Sequence, residues 1–263
     1  MVLDAQFDTL ASAGPADRRL AVLRRDGASP LDAMLSRLFA DQPVSVDADA
    51  AVDADAAARD DDVAVLVGDG EVLATSPLSA LERAILLVNS DLYTTGTRHL
   101  DDADLPSVLT ELADVPFRLR GYPLAHKEKL LLIAMSRQIE LRAHRAGRGE
   151  LRSSFQKLSR IDDEVGTRRT YGRLAASGVD LHVYGEPDWD PERSLGATVH
   201  AGYGDGYSDS WFVVFDPPAD AVGPHTTPAA LLALEERSRV WRGIWTFRPD
   251  AVSELAAVIR REL

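Results

Sequence analysis

The stretches WFVVF (211–215) and AALLALEERSRVWRGIWTF (229–247) decide the fold. Five consecutive apolar residues suit a strand covered on both faces. AALLALEE (229–236) fits strand or helix by pattern alone. It is read as a strand because VWRGIWTF (240–247) follows at hairpin distance, with aromatics in alternation. Upstream, VDLHVYG (179–185) sets Val179, Leu181 and Val183 against Asp180, His182 and Tyr184, and ATVHA (197–201) alternates likewise. The intervening GYGDGYSDS (202–210) reads as a hairpin loop. Pro249 and Asp250 open a C-terminal helix, amphipathic through Val252, Leu255, Val258 and Ile259. The last third of the chain is therefore mostly sheet.

Helices dominate the middle. The longest covers 125–146. Leu130 to Met135 are consecutive apolar residues, so this part is buried nearly all round, whereas Arg137, Glu140 and His144 mark a wet face. After Gly147 and Gly149, two shorter helices are expected at 150–161 and 167–176, the second with Thr167 as N-cap and Gly178 just past its end. VPFRLRG (115–121) is a strand with Val115, Phe117 and Leu119 on one side and Arg118 and Arg120 on the other. A helix precedes it, over 104–113.

The N-terminal part mixes both types. RLAVLRR (19–25) is a strand. Ser29-Pro30 opens a helix whose Leu31, Leu35, Leu38 and Phe39 share one face. Val44 and Val46 alternate in a further strand. VAVLV (63–67) and EVLAT (71–75), joined by GDG, form a hairpin. Ser76-Pro77 repeats the helix-start signal, and the helix runs to Leu87, before a polar loop at 88–100. The fold class expected is α/β or α+β, a mixed β-sheet flanked by helices in a three-layer arrangement. A seam near residue 76 separates an N-terminal α/β unit (1–76), in the same sheet or beside it, from a larger unit (77–263).

Composition bounds the chemistry. The 263 residues carry 42 Asp+Glu against 29 Lys+Arg, a net charge of −13, and no cysteine. Disulfides, iron–sulfur clusters and thiol nucleophiles are excluded. No apolar run approaches the roughly 20 residues that span a bilayer, and no secretory signal is visible, so a cytoplasmic location without membrane attachment is expected. Asp supplies 29 of the acids, and Lys only 3 of the bases. Such a surface suits a cytoplasm of molar salt, which screens carboxylate repulsion, and points to a halophilic archaeon. The acidic stretch 47–62 fits that reading. Residues 118–173 run the other way, with 14 bases against 6 acids.

The motifs of common chemistries are missing. GDG (68–70) lies within a hairpin rather than between a strand and a helix. There is no Walker sequence, nucleophile elbow or His-Glu-x-x-His pattern. No catalytic residue, metal ligand set or cofactor is assigned, and the chain is not read as an enzyme. His182 and His200, on neighbouring expected strands, read as a hydrogen-bonded packing pair rather than a metal site. Trp241, Trp245 and Phe247 share one side of a strand, as a pocket floor or as ordinary core.

Three further stretches, FRLRGYPLAHKEKLLLIAMSRQIE (117–140), FQKLSRIDDEVGTRRTYGRLAASGVDLHVYG (155–185) and VNSDLYTTGTRHL (88–100), give the chain a family likeness. Over residues 77–248 it resembles the DICT family, sensory domains attached to diguanylate cyclases and two-component signalling proteins, and 88–100 is similar to haloarchaeal members. The resemblance implies a sensor that binds a small ligand or a partner and passes on a conformational change. It transfers no catalytic residue. No cyclase, kinase or receiver domain is visible, so output through a signalling partner protein is expected.

The ligand, small and of anionic type, is expected between the sheet and its helices. Arg160, Glu164, Arg168 and Tyr171 at the helical junction and His182 and Tyr184 on the following strand are the candidate contacts. Arg160 and Arg168 would fork onto a carboxylate or phosphate. The alternative is a nucleic-acid-associated transcriptional regulator that uses the basic 118–173 region.

Overall fold

Apolar alternation builds two sheets, which share one core in a computed structural model of the chain. The structure describes residues 2–15, 17–23, 35, 36, 39, 43–47, 62–86, 105–120, 129–190 and 195–263. After helix α1 (Val2–Ser12), strands β1 (Arg19–Leu23), β2 (Ser45–Asp47), β3 (Val63–Gly68) and β4 (Glu71–Pro77) form a small sheet ordered β2-β1-β3-β4. Asp69 (φ 54°) and Gly70 (φ 82°) make the β3–β4 turn. Two successive left-handed residues match the twist of a tight hairpin, which explains the GDG sequence. Helices α2 (Leu78–Leu86) and α3 (Ser107–Thr110) follow.

The large sheet uses β5 (Phe117–Arg120), β6 (Glu150–Lys157), β7 (Asp180–Glu186), β8 (Thr198–Ala201), β9 (Ser210–Asp216), β10 (Ala229–Arg237) and β11 (Val240–Thr246). Their order is β5-β11-β10-β9-β6-β7-β8. Pairing is antiparallel from β5 to β6 and parallel from β6 to β8. The long helix α4 (Lys129–Ala146) precedes β6, and α5 (Arg160–Asp163) and α6 (Val165–Ala175) make the crossover to β7. A short α7 (Asp205–Ser208) precedes β9, and α8 (Pro249–Glu262) ends the chain.

Period-two alternation gives each face of the large sheet its own core. Phe212, Val214, Leu232 and Ile244 pack outward against Leu3, Phe7 and Leu10 of α1 and Val252, Leu255 and Ile259 of α8. Val213, Phe215 and Leu231 pack inward with Leu132, Met135 and Ile139 of α4 and Leu174 of α6. The small sheet joins the inward core through Leu20, Val22 and Leu66. Each such side chain contributes about 1.5–3 kcal/mol on burial. The result is a mixed sheet between helical layers, as the α/β patterning predicts. α1, with no counterpart in the sequence reading, is fixed by Arg242, which reaches Asp4 (2.6 Å) and Asp8 (2.9 Å).

Several local expectations are corrected. The helix expected over 150–161 is strand β6 through Lys157. Its Arg152, Ser153 and Ser154 are buried and polar, so the apolar alternation of a central strand is absent. GYGDGYSDS is no hairpin loop, because β8 and β9 lie three places apart in the sheet. The helix expected after Ser76-Pro77 forms as α2 from Leu78, with Pro77 as the last residue of β4. The buried Ser76 hydroxyl caps a different helix, accepting from the Val108 N–H (3.2 Å) at the start of α3. Trp241 and Trp245 belong to the core. Most of the helix expected from Ser29-Pro30, residues 48–61 of the acidic stretch, and the 88–100 loop lie outside the described residues. No helix among the described residues is long and apolar enough to cross a membrane.

Candidate functional site

Between α4, α6 and the inward face of β6 and β9 lies a cavity of about 100 Å³. One wall is apolar, made by Ile133, Phe155, Trp211 and Val213. Trp211 is steered by its Nε1–H, which donates to Ser136 Oγ (3.1 Å). Strand β6 supplies further lining. Its ladder to β9 stops at Ser153. Beyond that point Ser154 Oγ substitutes for backbone, donating to Ser210 O (3.2 Å) and accepting from Phe212 N–H (2.8 Å). A bulge follows, with Gln156 at φ 62°, in the left-handed region that non-glycine residues rarely occupy. The bulge turns Phe155 and Gln156 to the cavity, where Arg160 bonds Gln156.

The opposite wall is a buried ionic network. Arg137 Nη1 meets Glu140 Oε2 at 2.5 Å on the same helix, and Arg137 Nη2 donates to Thr167 Oγ1 (2.7 Å). The Thr167 hydroxyl donates to Glu164 Oε2 (3.0 Å), and Tyr171 Oη–H donates to Glu140 Oε1 (2.9 Å). Arg137 and Glu140 are 6% and 3% exposed, so both expectations of a wet face here are corrected. Thr167 is likewise no N-cap. Glu164 takes that place, and Thr167 turns inward to join the two helices. Burial disfavours the Arg137 charge, but its neighbours, Glu140 first and Glu164 among them, together outweigh it and raise the guanidinium above its ordinary range. Burial, then the Glu140 charge, pushes the Tyr171 phenol well above its usual value, so it stays a hydrogen-bond donor.

The sequence-derived candidates divide. Arg160, Glu164 and Tyr171 line the cavity. Arg168 does not, and pairs with Asp162 at the surface (2.7 Å). His182 and Tyr184 project from the other face of the sheet, because Val183, between them, packs inward. There His182 Nδ1 meets His200 Nε2 (2.9 Å), Tyr184 stacks on His200 at 4.3 Å, and Arg152 bonds the Tyr184 hydroxyl. Much of the basic island is internally paired, as in Arg118–Glu236, Arg137–Glu140 and Arg152–Glu150.

Arg137, Glu140, Ser136 and Trp211 were missed as site residues. The available signal was an oppositely charged i,i+3 pair placed directly after an all-apolar helical turn, where a buried pair fits better than a solvated one.

No protein-family model matches the chain. No curated protein matches it either.

Proposed function

We propose that the chain is a sensory module that binds a small ligand in the α4–β6–α6 cavity and passes a conformational change to a partner protein. The observation that carries this reading is the buried Arg137–Glu140–Tyr171–Thr167–Glu164 network facing an apolar wall. Burying charges is costly, and an apolar replacement often stabilises a protein. A network retained beside open space is suited to exchanging partners with a polar ligand. The volume is somewhat below the roughly 150 Å³ of a cavity that holds benzene, which limits the enclosed part to a small group. The lining charges, Arg137 and Arg160 against Glu140 and Glu164, balance, so the polar end that fits best is zwitterionic or neutral rather than a bare anion. A ligand that separates Thr167 from Arg137 loosens α6 from α4, which is a route to a signal provided that it prefers one arrangement.

The stretches 117–140 and 155–185, for which membership of the DICT sensory family is part of the same proposal, both contribute residues to this cavity. Its test is a thermal-shift and tryptophan-fluorescence screen with amino acids, aromatic carboxylates, nucleobases and nucleotides. A true ligand at a hundredfold excess over Kd adds about 2.7 kcal/mol of stability and perturbs Trp211 emission. Ile133→Trp, which fills the cavity, abolishes both effects. Binding that persists undiminished in Ile133→Trp, or a screen without any saturable binder, refutes the proposal.

A further inference from the structure

A second cluster lies on the outward face of the sheet. Glu150 opens β6 and Asp180 opens β7, and the parallel register sets them side by side, with Arg152 opposite His182. A carboxylate oxygen from each acid and one ring nitrogen of His182 lie within 4.8 Å of one another.

Three details fit a cation. First, His182 Nδ1 lies 2.9 Å from His200 Nε2. Donation through Nδ1–H leaves the lone pair on Nε2, the arrangement by which a second residue fixes the tautomer of a metal-binding imidazole. Second, His182 Nε2 is buried and lies 3.3 Å from Asp180 Oδ2, yet is out of line for a hydrogen bond and has no such partner among the described residues. Two donors bound to one zinc ion at about 2.0 Å each stand about 3.3 Å apart at a tetrahedral angle, each off the other's axis. Third, Arg152 and Arg260 both donate to Glu150 Oε2 at 2.8 Å. They hold the carboxylate in place and leave Oε1 without a hydrogen bond among the described residues. Asp180 is largely exposed and borders an open groove with Asp216 and Ser253, which gives an ion entry and room for water.

We propose that Glu150, Asp180 and His182 bind a divalent transition-metal ion of the zinc type, with His200 as the supporting partner and a remaining coordination position open to the groove. The imidazole favours a transition metal such as Zn²⁺ over Mg²⁺ or Ca²⁺, which the two carboxylates alone would suit. The site lies across the sheet from the ligand cavity and shares no lining residue with it.

The test is calorimetric titration of the full chain with Zn²⁺, alongside visible absorption with Co²⁺. One saturable equivalent is expected, with a Co²⁺ band of low-coordinate type. Asp180→Asn changes an exposed side chain, leaves the fold intact and raises Kd at least about tenfold, and His200→Gln raises it about 10–100-fold. His182→Gln abolishes the Co²⁺ band. Absence of a saturable equivalent overturns the proposal. So does Zn²⁺ binding of unchanged Kd in Asp180→Asn, which would place the ion elsewhere on the acidic surface.

Discussion

Replacing Arg137 by methionine tests the buried network most directly. The substitution keeps the aliphatic stem and removes the guanidinium 2.5 Å from Glu140. The Glu140 carboxylate, 3% exposed, then keeps only the Tyr171 hydroxyl as a hydrogen-bond donor among the described residues. Orphaning one member of a buried pair costs about 3–5 kcal/mol. The pair borders a cavity that water can enter, so the lower end, about 3 kcal/mol, is expected here. That is a large share of a total stability of roughly 5–15 kcal/mol. The double variant Arg137→Met/Glu140→Leu removes both charges and recovers at least about 2 kcal/mol of the loss. Urea unfolding at neutral pH, with midpoints and slopes fitted for both variants, reads the two numbers. A single variant within about 0.5 kcal/mol of wild type, or a double variant as unstable as the single, would refute the assignment of a mutually dependent buried pair.

Three other outcomes follow from the geometry. Gly243→Ala places a Cβ 2.4 Å from the Phe117 ring, so the ring or β5 must shift; a loss of about 1–3 kcal/mol is expected in thermal unfolding, with Phe117→Leu restoring part of it. At Asp188, slight burial opposes ionisation, but hydrogen bonds from the Ser159 N–H and hydroxyl prevail and hold the carboxyl below its ordinary 3.8. Its stabilisation is therefore complete above that value and is lost as pH falls through the depressed one; the stability gap between wild type and Asp188→Ala should close in acid-unfolding curves. If the aspartate-rich surface reflects molar salt, the thermal midpoint should be higher in about 2 M than in about 0.1 M KCl, and equal midpoints would remove the halophile expectation.

Where burial followed apolar alternation, the fold was readable. Strand β7, strand β11 and helix α8 are legible in residues such as Val183, Trp245 and Leu255 and β9 in its unbroken apolar run, whereas β10 is fixed only by its hairpin distance to β11. β6 did not, because its buried residues include Arg152, Ser153 and Ser154, whose partners come from distant strands and helices. Single-sequence periodicity treats such residues as solvated. The same blindness hid Arg137 and Glu140, while Arg160, Glu164 and Tyr171, grouped at the helical junction by the sequence, do line one cavity. His182 and His200 were placed together correctly, since alternation and strand adjacency suffice for that. Only the register, which sets Glu150 beside Asp180, brings the carboxylates to them.

Strand β6 has two audiences. Phe155 and Gln156 address the cavity, while Glu150 and Arg152 address the carboxylate–histidine cluster, a few residues away on one continuous backbone. The strand also stands at the junction where the sheet changes from antiparallel to parallel pairing. A displacement of this strand is therefore felt on both sides of the sheet at once. If the occupants of both sides each favour a particular setting of β6, each alters the other's affinity, and thermodynamic reciprocity makes the two factors equal.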